Sequence, residues 1–509
     1  MSFSKLHSAQ ISFLTAHIID IEVDIAHGLH SFSIVGLADR AVEEARDRVS
    51  SAIKNSGFTS PKQKNQKVVI SLAPADVRKE GPVFDLAIAL AYLHAAGDIV
   101  FNPEKKIFFG ELSLDGSVRA VSGILPLVQG AHEHGFTEIF VPADNAREAA
   151  LIHNVRVFAV TTLRDVVAHL QHHTLLTPQP HTIIEGVVHE TENDFADIRG
   201  HEHAKRGLEI AAAGGHSVAM IGPPGTGKTM LAHAFRSILP PLSFSDILEV
   251  TAIHSVAGVL RDTLITHVPM RAPHHTASYT SLIGGGSIPK PGDITLAHRG
   301  ILFLDEFPEF DRRVIDSLRQ PLEEHVVSIS RAKGSARFPA DVILVAAMNP
   351  CPCGFRGVVG KQCVCSPTHI ASYTRKISGP IVDRIDVWLS VETVKHDVLS
   401  GVATGEQSSE VRARVARARQ TQAHRAQTHK LTTRTNSRIG AKQLPHTSPL
   451  SPEVKHVLDT AAERLNMSAR AYHRVWKIAQ TIADLAQSRD IKPEHALEAL
   501  QYRPRFSAH

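Results

Sequence analysis

From Leu37 to Gly57 the apolar residues Val42, Ala45, Val49 and Ile53 recur three or four positions apart, with Glu43, Glu44, Arg46 and Asp47 between them. That spacing lines one face of a helix, and Gly57 is the kind of residue that ends one. Val68–Ala73, Lys106–Gly110 and Glu138–Pro142 are short apolar runs that read as strands. Phe84–Ala96, following the breaker Gly81-Pro82, predicts a second, mostly apolar helix. Residues 1–170 therefore predict an α/β domain. Residues 171–193 lose all periodicity, carry Pro178-Gln-Pro180, and predict a linker.

Past residue 194 the rhythm changes. Ser217–Ile221, Ile301–Leu304 and Asp341–Met348 are runs of apolar residues, each delivering polar groups at its C-terminal end. They predict buried strands of one parallel sheet, which would bring the following loops to a common edge. Alternating strands at Val326–Arg331 and Ala336–Pro339 flank Ala332-Lys333-Gly334-Ser335 and predict a hairpin with Lys333 at its tip and Arg331 beside it. Residues 452–464, 468–487 and 493–502 predict three helices, with Ser468 capping the second.

Composition narrows the class. The chain has 509 residues, 43% of them hydrophobic and 21% charged, which fits about three soluble domains. No apolar run nears the roughly 18 residues of a membrane span, and Met1–Ile19 lacks the features of a signal peptide. All four cysteines fall between 351 and 365, which argues for a reducing cytoplasm rather than a disulfide framework. Net charge is only +4, so a nucleic-acid surface would have to be local. One stretch qualifies: Glu410–Lys442 holds nine Lys/Arg, among them Arg412 and Arg414, against one acid. It reads either as a solvated helix or as a phosphate-binding face; without aromatic residues it would contact backbone rather than bases.

The chemistry centres on Gly222-Pro223-Pro224-Gly225-Thr226-Gly227-Lys228-Thr229. Glycines allow consecutive N–H groups to face phosphate oxygens, Lys228 supplies a positive charge, and Thr229 a hydroxyl for Mg²⁺. The helix that follows adds its positive N-terminus. Seventy-seven residues beyond Lys228 stands Asp305, placed to hold Mg²⁺ through water, and then Glu306, placed to polarise the attacking water. Asn349 would orient that water or read the γ-phosphate. ATP and Mg²⁺ are the expected cofactors. Cys351, Cys353, Cys363 and Cys365 lie within 15 residues and read either as reduced thiols or as a tetrahedral Zn²⁺ site. Arg384 sits between Asp383 and Asp386, a spacing that by itself describes an exposed ion pair.

Two resemblances add to this. Glu80-Gly-Pro82, Phe109–Arg119 and Val121–Ile124 resemble the Lon-protease/S5-type α/β domain. Where that resemblance would place a Ser–Lys dyad the chain has Val83 and the apolar run Ile124–Val128, so no peptidase activity is expected. Met270–Ser278, Gly284–Gly286 and Lys290–Gly300 resemble the Mg-chelatase-related AAA+ ATPases, and the whole order resembles the ComM/YifB-type family. The resemblance implies a Lon/S5-like α/β domain without the dyad (1–170), a linker (171–193), an AAA+ parallel-sheet core (194–395), and a basic segment with a helical lid (396–509). It implies that Asn349 is sensor 1, that Arg384 reaches into a neighbouring subunit's ATP, and that Arg470, or Arg474 one turn on, is sensor 2. It places the Lys333 hairpin in a ring pore, where the insert Ala252–Gly286 would add a second loop. The implied function is a cytoplasmic, hexameric DNA motor acting on single-stranded or branched DNA, a branch-migration factor in natural transformation. The alternative is a chaperone-like or chelatase-type remodeller of a protein partner.

Overall fold

The computed structural model describes residues 2–12, 15–37, 39–75, 77, 79–182, 193–260, 264–286, 289–331, 334–358, 360–377, 379–394 and 405–504. Two compact units divide the chain: residues 1–185 with 244–265, and residues 186–243 with 266–509. The class is mixed α/β with a helical C-terminal region, as the pattern predicts.

In the first unit a four-stranded sheet runs Phe3–Ser12, Thr15–His27, Gln66–Ala73, Ser31–Val35. Along Thr15–His27, Ile19, Ile21 and Val23 are fully buried at every second position, the two-residue period of a half-buried strand. The helix Arg40–Asn55 buries Val42, Ala45, Val49, Ala52 and Ile53, and Asp39 caps it by accepting the Val42 N–H at 2.9 Å. The helix Asp85–Ala95 is buried almost all round. Its one charge, Asp85, is held by the Arg48 guanidinium at 2.7 and 3.1 Å and by the Leu112 N–H at 3.3 Å. A three-stranded parallel sheet, Lys106–Phe108, Glu138–Pro142 and Arg156–Val160, sets Phe108, Phe140 and Phe158 directly opposite one another. Their rings stack at 4.8 and 4.9 Å.

Val83 and Ile124–Val128, the positions a dyad would occupy, pack into these apolar cores. Residues 171–182, read from sequence as the start of a linker, hydrogen-bond along the first unit: Gln179 N–H to the Val157 carbonyl at 2.7 Å and Thr182 N–H to that of Ala150 at 3.2 Å. The helix Phe244–Ala257, whose end from Ala252 on opens the expected insert, belongs to this unit as well, with Leu248 and Ala252 against its core. Only the portion from residue 266 on stays with the second unit.

The second unit is built on five parallel strands in the order Met270–Arg271, Ile301–Leu304, Ile343–Met348, Val218–Ile221, Val387–Ser390. The three central ones are almost wholly buried, which explains their unbroken apolar sequence. The hairpin Val326–Arg331/Gly334–Pro339 forms with Arg331 opposite Gly334. Lys333 and the side chain of Arg331, expected at its tip, lie outside the described residues. The C-terminal helices Pro452–Arg464, Ala469–Leu485 and Pro493–Gln501 appear as the pattern predicts, with Ser468 accepting the Ala471 N–H at 3.2 Å.

Candidate nucleotide site

Strand register brings the site together. Ile221 pairs with Met348, so Gly222 and Asn349 leave the sheet side by side; Leu304 pairs with Ala346, so Asp305 and Glu306 emerge next to them. Gly222 donates to the Met348 carbonyl at 3.2 Å, and a Cβ on it would stand 2.0 Å from the Val391 carbonyl oxygen. Only glycine fits between the two flanking strand ends. Gly227 is left-handed (φ 83°) and turns the loop into the helix Lys228–Ser237.

Lys228 is 8% exposed and donates to the carbonyls of Gly222 (2.7 Å) and Pro223 (2.8 Å) and to Oδ1 of Asn349 (3.2 Å). Burial pulls its ammonium below the usual lysine range, with the Asp305 charge opposing. Thr226 Oγ1 donates to the Pro223 carbonyl at 2.9 Å, tightening the loop. Thr229 Oγ1 donates to Oδ2 of half-buried Asp305 at 2.8 Å, so a hydroxyl and a carboxylate, both hard oxygen donors suited to Mg²⁺, already adjoin. Asp305 Oδ1 accepts the Glu306 N–H at 2.8 Å. Glu306 itself is left-handed at φ 51°, a costly conformation for a non-glycine residue of the kind that collects at functional sites.

Two histidines join this cluster that sequence reasoning missed. His275 Nδ1 lies 3.1 Å from Oε2 of Glu306. Burial lowers the His201 imidazole, Lys205 adds to this, and a hydrogen bond with the Thr226 backbone opposes it, which places His201 against the phosphate loop. The tandem His274-His275 after the edge strand was the available signal for the first; nothing in the sequence singles out the second.

Arg384 and Arg470 are brought to each other rather than to Lys228. Both bind the Glu323 carboxylate, Arg470 at 2.7 Å, and Arg384 also donates to the Pro380 carbonyl at 2.6 Å. Arg474 is spent differently: it donates to the backbone carbonyls of Asp383 and Ile385 and lies 3.6 Å from Asp386. It therefore fixes the turn that carries Arg384. Next to Asn349, the four cysteines form one cluster whose ligand atoms all lie within 4.8 Å of one another.

The basic run lies largely on one helix packed within the second unit. The helix Ser408–Thr428 buries Val411, Val415, Ala418, Gln422 and Ala426 along one stripe. Arg414 is bound by Glu209 (2.6 Å) and Glu406, and Arg412 donates to the Ser237 carbonyl at 3.3 Å. Arg419 donates to the Ala212 carbonyl at 3.0 and 2.7 Å, Arg425 binds Asp484, and Arg438 binds Asp341 at 2.6 Å. Arg412 and Arg414, expected from sequence to contact phosphate, are half-buried and engaged within the unit, because burying the stripe brings their guanidiniums onto carboxylates and a helix-end carbonyl. No described helix is long and apolar enough to cross a membrane.

Comparison with known proteins gives the family. Residues 194–399 match the family "Magnesium chelatase, subunit ChlI", residues 21–145 match "Subunit ChlI of Mg-chelatase", and residues 405–503 match "Magnesium chelatase, subunit ChlI C-terminal". The chain is 39% identical over 512 residues to the competence protein ComM of Haemophilus influenzae, covering 99% of this chain and 98% of that one. It is 40% identical over 507 residues to the uncharacterized protein YifB of Escherichia coli, covering 99% and 97%.

Proposed function

This chain belongs to the ComM/YifB family of magnesium-chelatase-type AAA+ ATPases, and from that premise we propose that it is an ATP-driven DNA motor. It acts in the cytoplasm as a ring, six subunits in number, that moves single-stranded or branched DNA. Its task is branch migration while incoming single strands are recombined during natural transformation. The supporting observation is the joined cluster of Lys228, Thr229, Asp305 and Asn349 in a chain alike over its whole length to a protein named for competence.

Each side chain has a part in hydrolysis. Lys228, now held by two loop carbonyls and Asn349, turns to the β- and γ-phosphates. Thr229 and Asp305 would hold Mg²⁺, and the ion would supply positive charge against the developing phosphate charge. Glu306 draws the proton of the attacking water, and Asn349 orients that water. Arg384, paired with Arg470 on Glu323, serves the neighbouring subunit's γ-phosphate, so one chain alone is an incomplete catalyst. The Lys333 hairpin grips the strand, and the cysteine loop takes a structural Zn²⁺.

A second reading keeps a specific support: the internal use of Arg414, Arg419 and Arg425 suits a remodeller whose partner is a protein. The test separates them. ATP turnover by the purified chain is expected to rise several-fold with single-stranded or forked DNA, with the stimulation collapsing as salt increases. A synthetic four-way junction is expected to resolve only with ATP. Turnover indifferent to every DNA form would transfer the assignment to the protein remodeller.

A further inference from the structure

Among its described residues the loop between Asn349 and the helix Pro367–Lys376 has no helix or strand, yet its four sulfurs converge. Cys351 Sγ lies 3.4 Å from that of Cys353 and 3.7 Å from that of Cys363, and Cys353 Sγ lies 3.6 Å from that of Cys363. Cys365 Sγ completes the group by accepting the Cys353 N–H at 3.4 Å. Four thiolates around one tetrahedral ion, with bonds of about 2.3 Å, stand about 3.8 Å apart, whereas a disulfide would need about 2.05 Å. The spacing is that of ligands around a single ion.

The same loop presses on the nucleotide site. Gly354, at φ 81°, lies so close to the phosphate loop that a Cβ there would stand 2.5 Å from Cδ of Pro224 and 3.8 Å from Cγ of Asn349. Cys351 follows Asn349 by two residues, and Tyr373 donates to the Asn349 carbonyl at 3.2 Å from the loop's far side. Lys361 sits 4.7 Å over the ring of Phe355, closing the loop's middle. Three glycines in the nine residues between Cys353 and Cys363 leave the backbone little rigidity of its own.

We propose that Cys351, Cys353, Cys363 and Cys365 bind one Zn²⁺ and that this ion braces Pro224 and Asn349, making nucleotide affinity and turnover depend on metal content. The brace rests on the assignment of Gly222–Thr229 to ATP. Its energetic origin is chain entropy: the ion closes a glycine-rich loop whose ordered form touches the phosphate loop, and ligand binding is then coupled to that order.

The test uses the full chain. Metal analysis is expected to find about one zinc per chain, and none after Cys363→Ser or Cys365→Ser. Wild-type protein stripped by a chelator under reducing conditions is expected to lose about 10–100-fold in affinity for a fluorescent ATP analogue, the usual range for a lost supporting contact, and to regain it with Zn²⁺. Gly354→Ala, which leaves all four thiols in place, is expected to keep its zinc yet bind nucleotide more weakly, so misfolding of the cysteine variants does not decide the matter. Iron, or only traces of zinc, would overturn the metal assignment. Equal nucleotide affinity in the zinc-loaded and zinc-free chains, or a Gly354→Ala variant that binds like wild type, would overturn the brace. If Lys228→Ala also binds nucleotide normally, the failure lies with the ATP site itself.

Discussion

Nδ1 of His275 stands 3.1 Å from Oε2 of Glu306, joining the loop after the edge strand Met270–Arg271 to the end of the neighbouring acid strand. The contact fixes the one carboxylate in the cluster whose backbone is left-handed. His275→Ala is therefore expected to leave ATP affinity intact and to lower kcat by about 10–100-fold, since a misplacement near 1 Å carries that scale of cost. Steady-state turnover beside a nucleotide titration checks it; an unchanged kcat would make His275 a bystander.

Lys228 and Glu306 separate binding from chemistry. Lys228→Ala removes the only side-chain cation bonded to the carbonyls of Gly222 and Pro223 among the described residues, and is expected to abolish nucleotide binding. Glu306→Gln keeps size and polarity and loses the base, so it is expected to bind ATP and not hydrolyse it. Equilibrium binding and single-turnover hydrolysis distinguish the two.

Arg384 tests the proposed ring. The Arg384 guanidinium, with help from Arg470, holds the Glu323 carboxyl below its ordinary range, so in a lone subunit both arginines are engaged with one carboxylate. A trans-acting arginine is worth about 10³–10⁵ in rate. Mixing Arg384→Ala subunits with wild type is accordingly expected to depress activity more steeply than the fraction of mutant. A strictly linear titration would remove the trans role.

His325 supplies a pH dependence of stability. Burial, reinforced by Arg438, pushes its imidazole down to about 4, against 6.5 for a free histidine, with Asp341 opposing and Lys477 adding to the positive side. Below pH 6.5 the unfolded chain takes up a proton that the folded chain refuses, so stability is full above 6.5 and is lost as pH falls toward 4. The loss amounts to about 2 kcal/mol after allowance for partial solvent exposure. His325 closes the helix Arg319–Glu324 in a left-handed conformation (φ 58°) that asparagine tolerates, so His325→Asn should flatten this part of the curve. Thermal melts of both proteins between pH 4 and 7 measure the difference.

The phosphate loop, the acid strand and the Asn349 strand were legible because each is a continuous apolar run ending in a polar group, and register does the rest. The helix Arg40–Asn55 was legible from its spacing. The hairpin Phe3–Ser12/Thr15–His27 was not picked out, since Ser8 and Gln10 are buried polar positions that blur the two-residue alternation. The fate of the arginines after residue 410 was hidden for a different reason: charge is local in sequence, whereas Glu209, Asp341 and Asp484, which hold Arg414, Arg438 and Arg425, come from distant positions. His275 escaped because its partner, Glu306, lies 31 residues away across a strand pair.

The helix Phe244–Ala257 belongs to the first unit, where Ser255 Oγ accepts the Gly123 N–H at 2.9 Å and Leu248, Ala252 and Leu264 cover part of the core. That unit is thus interrupted in sequence by the strand and helix that hold the phosphate loop. During synthesis it stays incomplete until residue 265 has left the ribosome, 80 residues after its main portion ends at 185. At about 5–20 residues per second this is a wait of roughly 4–16 s, during which Leu125, Val128 and their neighbours lack their last cover. The nucleotide loop thus emerges while that cover is still missing, and a gene cut at residue 185 would leave it missing permanently.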